Sequence, residues 1–137
     1  MKLIRFGEAG KEKPGVQIAG VNYDVSSFFP QYDEDFFAND GLAKLQTYIE
    51  ENKSKLTEIP AGVRLGAPFC RPSKIVCIGL NYKDHAQETG AAIPAEPIIF
   101  MKSTTALVGP NDHVMIPKNS TKTDWEVEFG IVIGKRA

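Results

Sequence analysis

This sequence is poor in cysteine, in net charge and in long apolar runs, and each shortage excludes something. Cys70 and Cys77 are its two thiols, and neither lies in a C-x-x-C pair, so the usual zinc and dithiol motifs are missing. Cys77 sits inside an apolar run and is expected to be a small buried hydrophobe. A net charge of −1 argues against nucleic acid or an anionic membrane as the main partner. No apolar stretch approaches the roughly 20 residues that span a bilayer. The opening Met1-Lys2-Leu3-Ile4-Arg5-Phe6 meets charge and glycine too soon for a signal peptide. A soluble cytoplasmic protein is the expectation. Repeats and low-complexity tracts are absent, and 42% hydrophobic with 24% charged residues is ordinary for a globular chain. Its 137 residues suffice for one domain, or for a small one plus part of another.

Residues 2–6 alternate like a strand, residues 7–15 read as a polar turn, and residues 16–18 and 23–25 flank a hairpin turn at 19–22. Asp33-Glu34-Asp35 reads as a solvated acidic loop. Asp40 is placed to cap a helix near residues 41–53, with Leu42, Leu45 and Ile49 on its apolar face. Pro60, Gly62, Gly66, Pro68 and Pro72 make residues 57–74 a linker. This divides the chain into a small α+β domain over 1–70 and a second, mainly β region over 71–137. In that region, residues 74–79 read as a short buried strand and residues 83–89 as a short helix. Residues 98–102 and 114–117 read as further strands, with loops at 103–105 and 109–112.

The run Asp124-Trp125-Glu126-Val127-Glu128-Phe129-Gly130-Ile131-Val132-Ile133-Gly134 alternates with strand periodicity. Glu126 and Glu128 would leave one face with Cα atoms roughly 6.5–7 Å apart, a spacing at which two carboxylates can converge on a hard divalent cation. Taken alone, an ordinary half-buried strand with polar residues in water is favoured, because Glu-x-Glu is a weak motif. Gly130 and Gly134 continue the carboxylate face, and glycine weakens a strand unless something approaches it closely. His85 and Glu88 stand three apart after a strand terminus. A carboxylate beside an imidazole fixes its tautomer and raises its basicity, so the ring can take a proton from water. A surface helical turn whose His and Glu pair in solvent explains the same residues. The sequence stops just after the apolar run of residues 124–134, which reads as the front part of a longer protein.

In this order, residues 74–90, Glu96 to Lys102, residues 109–112 and residues 124–135 resemble the opening of the fumarylacetoacetate hydrolase family catalytic domain. The stretch from Met1 to Gly7, with the small domain after it, is similar to bacterial members. Lys122-Thr123-Asp124-Trp125-Glu126-Val127-Glu128 resembles the sugar-acid members, which cleave 2,4-diketo-3-deoxy acids. Close relatives often carry the name ureidoglycolate lyase. The resemblance implies a mixed β-sandwich roll, usually dimeric, preceded by a small α+β domain. It implies that Glu126 and Glu128 bind Mg²⁺ or Mn²⁺, with a later aspartate beyond residue 137 as the third ligand. It implies that His85 and Glu88 are catalytic on a lid segment, and that Lys102 contacts substrate.

For the intact enzyme, the resemblance implies that the cation chelates the 2-oxo-carboxylate of a small oxo-acid. His85, oriented by Glu88, activates a water that attacks the 4-oxo carbon, and the bond breaks to a pyruvate enolate stabilised by the metal. Pyruvate and lactate would result from the rhamnonate or fuconate derivative. Oxaloacetate decarboxylation, dienoate isomerisation and ureidoglycolate cleavage share the chelating half of the substrate. A non-catalytic fragment acting as an interaction module is the alternative of another class.

Overall fold

The computed structural model describes residues 1–135. The chain divides into two compact units, one made of Met1–Arg71 together with the residues from Val108 onward, the other of Pro72–Leu107.

The first unit is built on a five-stranded antiparallel sheet of order β4-β3-β2-β1-β5. Its strands are β1 (Lys2–Phe6), β2 (Lys13–Ile18), β3 (Val21–Asp24), β4 (Thr57–Glu58) and β5 (Leu65–Gly66). Registry in the β1–β2 hairpin sets Leu3 opposite Val16 and Arg5 opposite Pro14. The β2–β3 hairpin turns at Ala19 and Gly20, both at positive φ, between the paired Ile18 and Val21. Strand pairing therefore begins at Lys13, inside the expected polar turn.

Two helices close the core against this sheet: α1 (Glu34–Ala38) and α2 (Gly41–Asn52). Val16, Val25, Tyr32, Phe36, Leu45 and Ile49 form one buried cluster. Full burial of a valine or leucine side chain contributes about 1.5–3 kcal/mol, so this cluster dominates the unit's stability. Tyr32 is fully buried and donates its hydroxyl to the Gly15 carbonyl at 2.9 Å, which satisfies its one polar atom. Phe29 meets Phe36 edge-on at 4.9 Å, a geometry that suits the ring quadrupoles.

Several sequence expectations need correction here. Asp33-Glu34-Asp35 is not a solvated loop: Asp33 accepts from the Phe36 amide at 3.1 Å and caps α1, an interaction typically worth about 1 kcal/mol. Asp40 occupies the N-cap position of α2 but makes no side-chain cap bond, because its backbone is left-handed at φ 59°. Its carboxylate instead receives Lys135 Nζ at 2.6 Å. Leu42 is 48% exposed, so the apolar face of α2 is narrower than expected. The stretch 57–74 is not a plain linker either. Thr57 pairs with Asp24, Leu65 pairs with Phe6, and Cys70 donates its amide to Tyr32 at 2.9 Å. Two-residue strands are too short to show a period.

The second unit contains β6 (Ile75–Gly79), α3 (Lys83–Glu88) and β7 (Ile98–Lys102). β6 and β7 pair antiparallel, Ile75 opposite Lys102 and Gly79 opposite Ile98. β6 was expected to be buried, yet its residues alternate between half-buried and exposed, and Cys77 is only half-buried. A strand with a single neighbour leaves much of its surface in water. No helix among the described residues is long and apolar enough to cross a membrane.

Residues 114–117 and 124–134, expected as strands, pair with no other strand among the described residues. Their backbone groups lack the partners that a ladder requires. Gly130 has open space around it, and only Gly134 lies in close approach, with a virtual Cβ 3.0 Å from Phe37 Cβ.

Candidate functional site

His85 and Glu88 both stand on α3, whose Ala86 is the side chain that turns inward, 1% exposed. The strand before it ends at Gly79, Leu80 follows at φ 49°, and Tyr82 opens the helix in extended conformation. At the other end, Gly90 at φ 68° donates to the Gln87 carbonyl at 3.1 Å, while Ala91 donates to the Ala86 carbonyl at 2.9 Å. This pair of bonds is the Schellman arrangement, and it needs a left-handed residue at the glycine position. α3 is therefore a short, firmly terminated helical turn. Thr89 adds a hydroxyl bond to the His85 carbonyl at 2.9 Å. The His85 and Glu88 side chains are exposed, and no hydrogen bond joins them among the described residues.

Lys102 ends β7 in the same unit. Its ammonium lies 5.4 Å from the centroid of the Phe100 ring, within cation–π range. Glu126 and Glu128 belong to the other unit. Both are exposed and, among the described residues, neither has a hydrogen-bond or ion-pair partner. Their oxygen donors match the preference of Mg²⁺ or Mn²⁺, but two carboxylates are fewer than such a site normally uses. Among the described residues, no group of three or more His, Cys, Asp and Glu is placed to hold a metal.

Sequence reading missed an ion-pair network that fixes the start of the segment leading to these glutamates. Arg64 donates Nε to Asp112 Oδ1 at 2.7 Å and Nη2 to Asp112 Oδ2 at 2.6 Å, a bidentate fork. Its Nη1 reaches Glu12 Oε1 at 2.9 Å and the Gly7 carbonyl at 3.0 Å. Buried Glu12 also receives Arg5 Nη2 at 3.3 Å, and the Gly109 amide donates to Asp112 at 2.7 Å. A Cβ at Gly109 would collide with the Leu65 carbonyl oxygen, so glycine permits this approach. Asp three residues after Gly in residues 109–112 was the local signal of a side-chain-closed turn. Arg64 lies too far away in sequence for any local rule to pair it.

This network predicts an acid-sensitive first unit. Burial pushes the Glu12 carboxyl up, but hydrogen bonds from Arg64 and Gly10 outweigh it and hold its pKa below the usual value. Arg64 and the Gly109 amide likewise hold Asp112 low. Carboxylates with depressed folded pKa values stabilise the fold above their unfolded values, about 3.9–4.3. That contribution is lost as pH falls through the folded values. Urea unfolding followed by circular dichroism should therefore show stability falling below about pH 4, with a shallower fall in Asp112→Asn. An unchanged pH dependence in that variant would exclude Asp112 from the effect.

Residues 74–137 match the family model described as fumarylacetoacetate (FAA) hydrolase, C-terminal. Over that stretch, just under half of the chain, the protein is similar to the fumarylacetoacetate hydrolase family. A fumarylacetoacetate hydrolase from Exiguobacterium antarcticum is similar at 26% identity and a TM-score of 0.51, over 79% of this chain and 37% of that one. A Mycobacterium smegmatis protein provisionally named HpcE shares the fold, with a TM-score of 0.57 at 24% identity over 88% of this chain and 42% of that one. The mixed α and β architecture with antiparallel sheets is thus part of the fumarylacetoacetate hydrolase fold. A Burkholderia cenocepacia protein, named provisionally as a hydrolase, is 44% identical over 99% of this chain and 48% of its own length. A Burkholderia multivorans protein with the same kind of name is 45% identical over 98% of this chain and 47% of its own. The chain spans about half the length of the curated relatives it matches.

Proposed function

We propose that this chain supplies part of a divalent-metal-dependent hydrolase. It would cleave a carbon–carbon bond in a 2,4-diketo acid, such as 2,4-diketo-3-deoxy-L-rhamnonate or -fuconate, to pyruvate and lactate. The observation that carries the reading is the exposed pair Glu126 and Glu128, without a partner among the described residues, inside the family-matched stretch. Exposed carboxylates two residues apart, with no cationic partner among the described residues, can ligate an external cation.

Glu126 and Glu128 would hold Mg²⁺ or Mn²⁺ together with a carboxylate from outside residues 1–137. The cation supplies Lewis-acid polarisation of the 2-oxo group when bound. His85 takes a proton from the attacking water, and Glu88, one turn along α3, holds the ring in orientation. Lys102 offers its ammonium to the substrate's anionic end. Residues 71–137 would form the first part of the catalytic domain and residues 1–70 a small N-terminal domain. A cytoplasmic homodimer is part of the same reading and is carried by the resemblance alone.

The test is a chimera in which this chain is continued by the unmatched remainder of the Burkholderia cenocepacia relative. It is assayed for pyruvate release from 2,4-diketo acids, oxaloacetate and ureidoglycolate. The expected result is strongest turnover on a 2,4-diketo acid, abolished by EDTA and restored by Mg²⁺. Turnover that survives chelation would overturn the metal dependence, and a preference for ureidoglycolate or oxaloacetate would replace the substrate.

A further inference from the structure

Between Lys102 and Glu126 the chain is tied to the five-stranded sheet at the turn of residues 109–112. Asp112 accepts the Arg64 fork at 2.7 and 2.6 Å and the Gly109 amide at 2.7 Å. The Asp112 amide closes the same turn onto the Gly109 carbonyl at 3.2 Å. Gly109 lies so near β5 that a Cβ there would stand 3.0 Å from Gly66 Cα. Among the described residues, the other hydrogen bonds of residues 103–124 join positions no more than three apart. They shape the segment locally and hold it to nothing distant.

A bidentate fork fixes direction as well as distance, because two parallel bonds join two planar groups. Arg64 is itself held from behind by the buried Glu12 carboxylate at 2.9 Å and the Gly7 carbonyl at 3.0 Å. Arg64 and Glu12 lie outside the stretch that matches the family model, and Asp112 lies inside it. The fork therefore gives residues of the first 70 a hold on the matched stretch. In sequence, His85 and Lys102 precede the pinned turn, and Glu126 and Glu128 follow it.

We propose that Arg64 is a positioning residue: through Asp112 it fixes the point at which the chain passes from the general base to the metal-ligating carboxylates. The inference rests on the catalytic reading above and adds to it a residue that touches neither substrate nor metal. Misplacing a reacting group by about 1 Å can cost up to about 10²-fold in rate, so a fixed turn between base and ligands governs kcat from a distance. Metal affinity depends on carboxylates that all come after the turn, and loss of the fork leaves it in place.

Arg64→Gln, Asp112→Asn and the double variant are made in the chimera, and kcat is measured per Mn²⁺-loaded site, with bound Mn²⁺ counted by electron paramagnetic resonance. Asp112→Asn is the milder change, since the amide oxygen can still accept from Gly109. Counting loaded sites removes any loss that comes only from unfolded protein. Each single variant is expected to lower kcat per loaded site roughly tenfold with Mn²⁺ affinity unchanged. The double variant should fall no further than the worse single one, because both act through one contact. Unchanged kcat per loaded site, even with lowered thermal stability, would make the pair merely structural and overturn the proposal. Losses that multiply in the double variant, or a matching loss of Mn²⁺ affinity, would overturn it as well. An inactive unsubstituted chimera sinks the catalytic reading and this inference with it, whereas an active one with unaffected variants sinks this inference alone.

Discussion

Glu126→Ala and Glu128→Ala, each made in the chimera, are expected to abolish turnover and to weaken Mn²⁺ binding strongly. If residues 124–134 form the strand that their periodicity encodes, the two carboxylates would project from one face at a spacing that a single cation can bridge. Removing either leaves the ion with one carboxylate from this chain. The loss should exceed the roughly 10–100-fold that follows removal of a ligand's outer partner. Both side chains are exposed and have no partner among the described residues, so neither substitution removes a packing or hydrogen-bond contribution there. Thermal stability without metal should stay at the unsubstituted value, which separates a ligand from a structural residue. Full activity in either variant would sink the metal assignment.

His85→Ala should lower kcat in the chimera by about 10²–10⁴-fold, the range for loss of a general base, while Mn²⁺ affinity is retained. The side chain is exposed on a helix fixed from its other face by Ala86 and closed by Gly90. The substitution therefore has little to disturb apart from chemistry. Glu88→Gln should act through His85 and lower kcat by less than His85→Ala does, with Mn²⁺ affinity retained, because Glu88 orients the ring without itself moving the proton. A His85→Ala enzyme with unchanged kcat would remove the base from this position. A Glu88→Gln change that lowers kcat just as far in the His85→Ala background would make Glu88 a structural residue.

What could be read from the sequence follows the range of the interactions involved. β1, the β2–β3 hairpin, α2, α3 and β7 were legible because each carries its signal in a few adjacent residues: alternation, a turn pair, a cap or a helical stripe. Asp33 was misread because an acidic cluster looks the same in a loop and at a helix N-terminus, and only the amide of Phe36 decides between them. β4 and β5 were invisible because two residues have no period. Their pairing is set by partners far away in the chain, Tyr23 and Asp24 for β4, Arg5 and Phe6 for β5. Arg64 escaped for the same reason, since its partner Asp112 is 48 residues away. The alternation in residues 124–134 is a property of the residues, but a strand is a property of a pair. Here the pattern is present, and no ladder forms among the described residues. For the site, the face shared by Glu126 and Glu128 came from periodicity, while the cation and the roles of His85, Glu88 and Lys102 came from the resemblance.

The most direct measurement is Mn²⁺ titration followed by electron paramagnetic resonance, made on this chain alone, on the chimera and on the chimera carrying Glu126→Gln. If Glu126 and Glu128 are two ligands of a site completed elsewhere, free Mn²⁺ signal should disappear stoichiometrically in the chimera. It should persist with the chain alone and return with Glu126→Gln. Stoichiometric binding that survives Glu126→Gln, or no binding by the folded chimera, would contradict it.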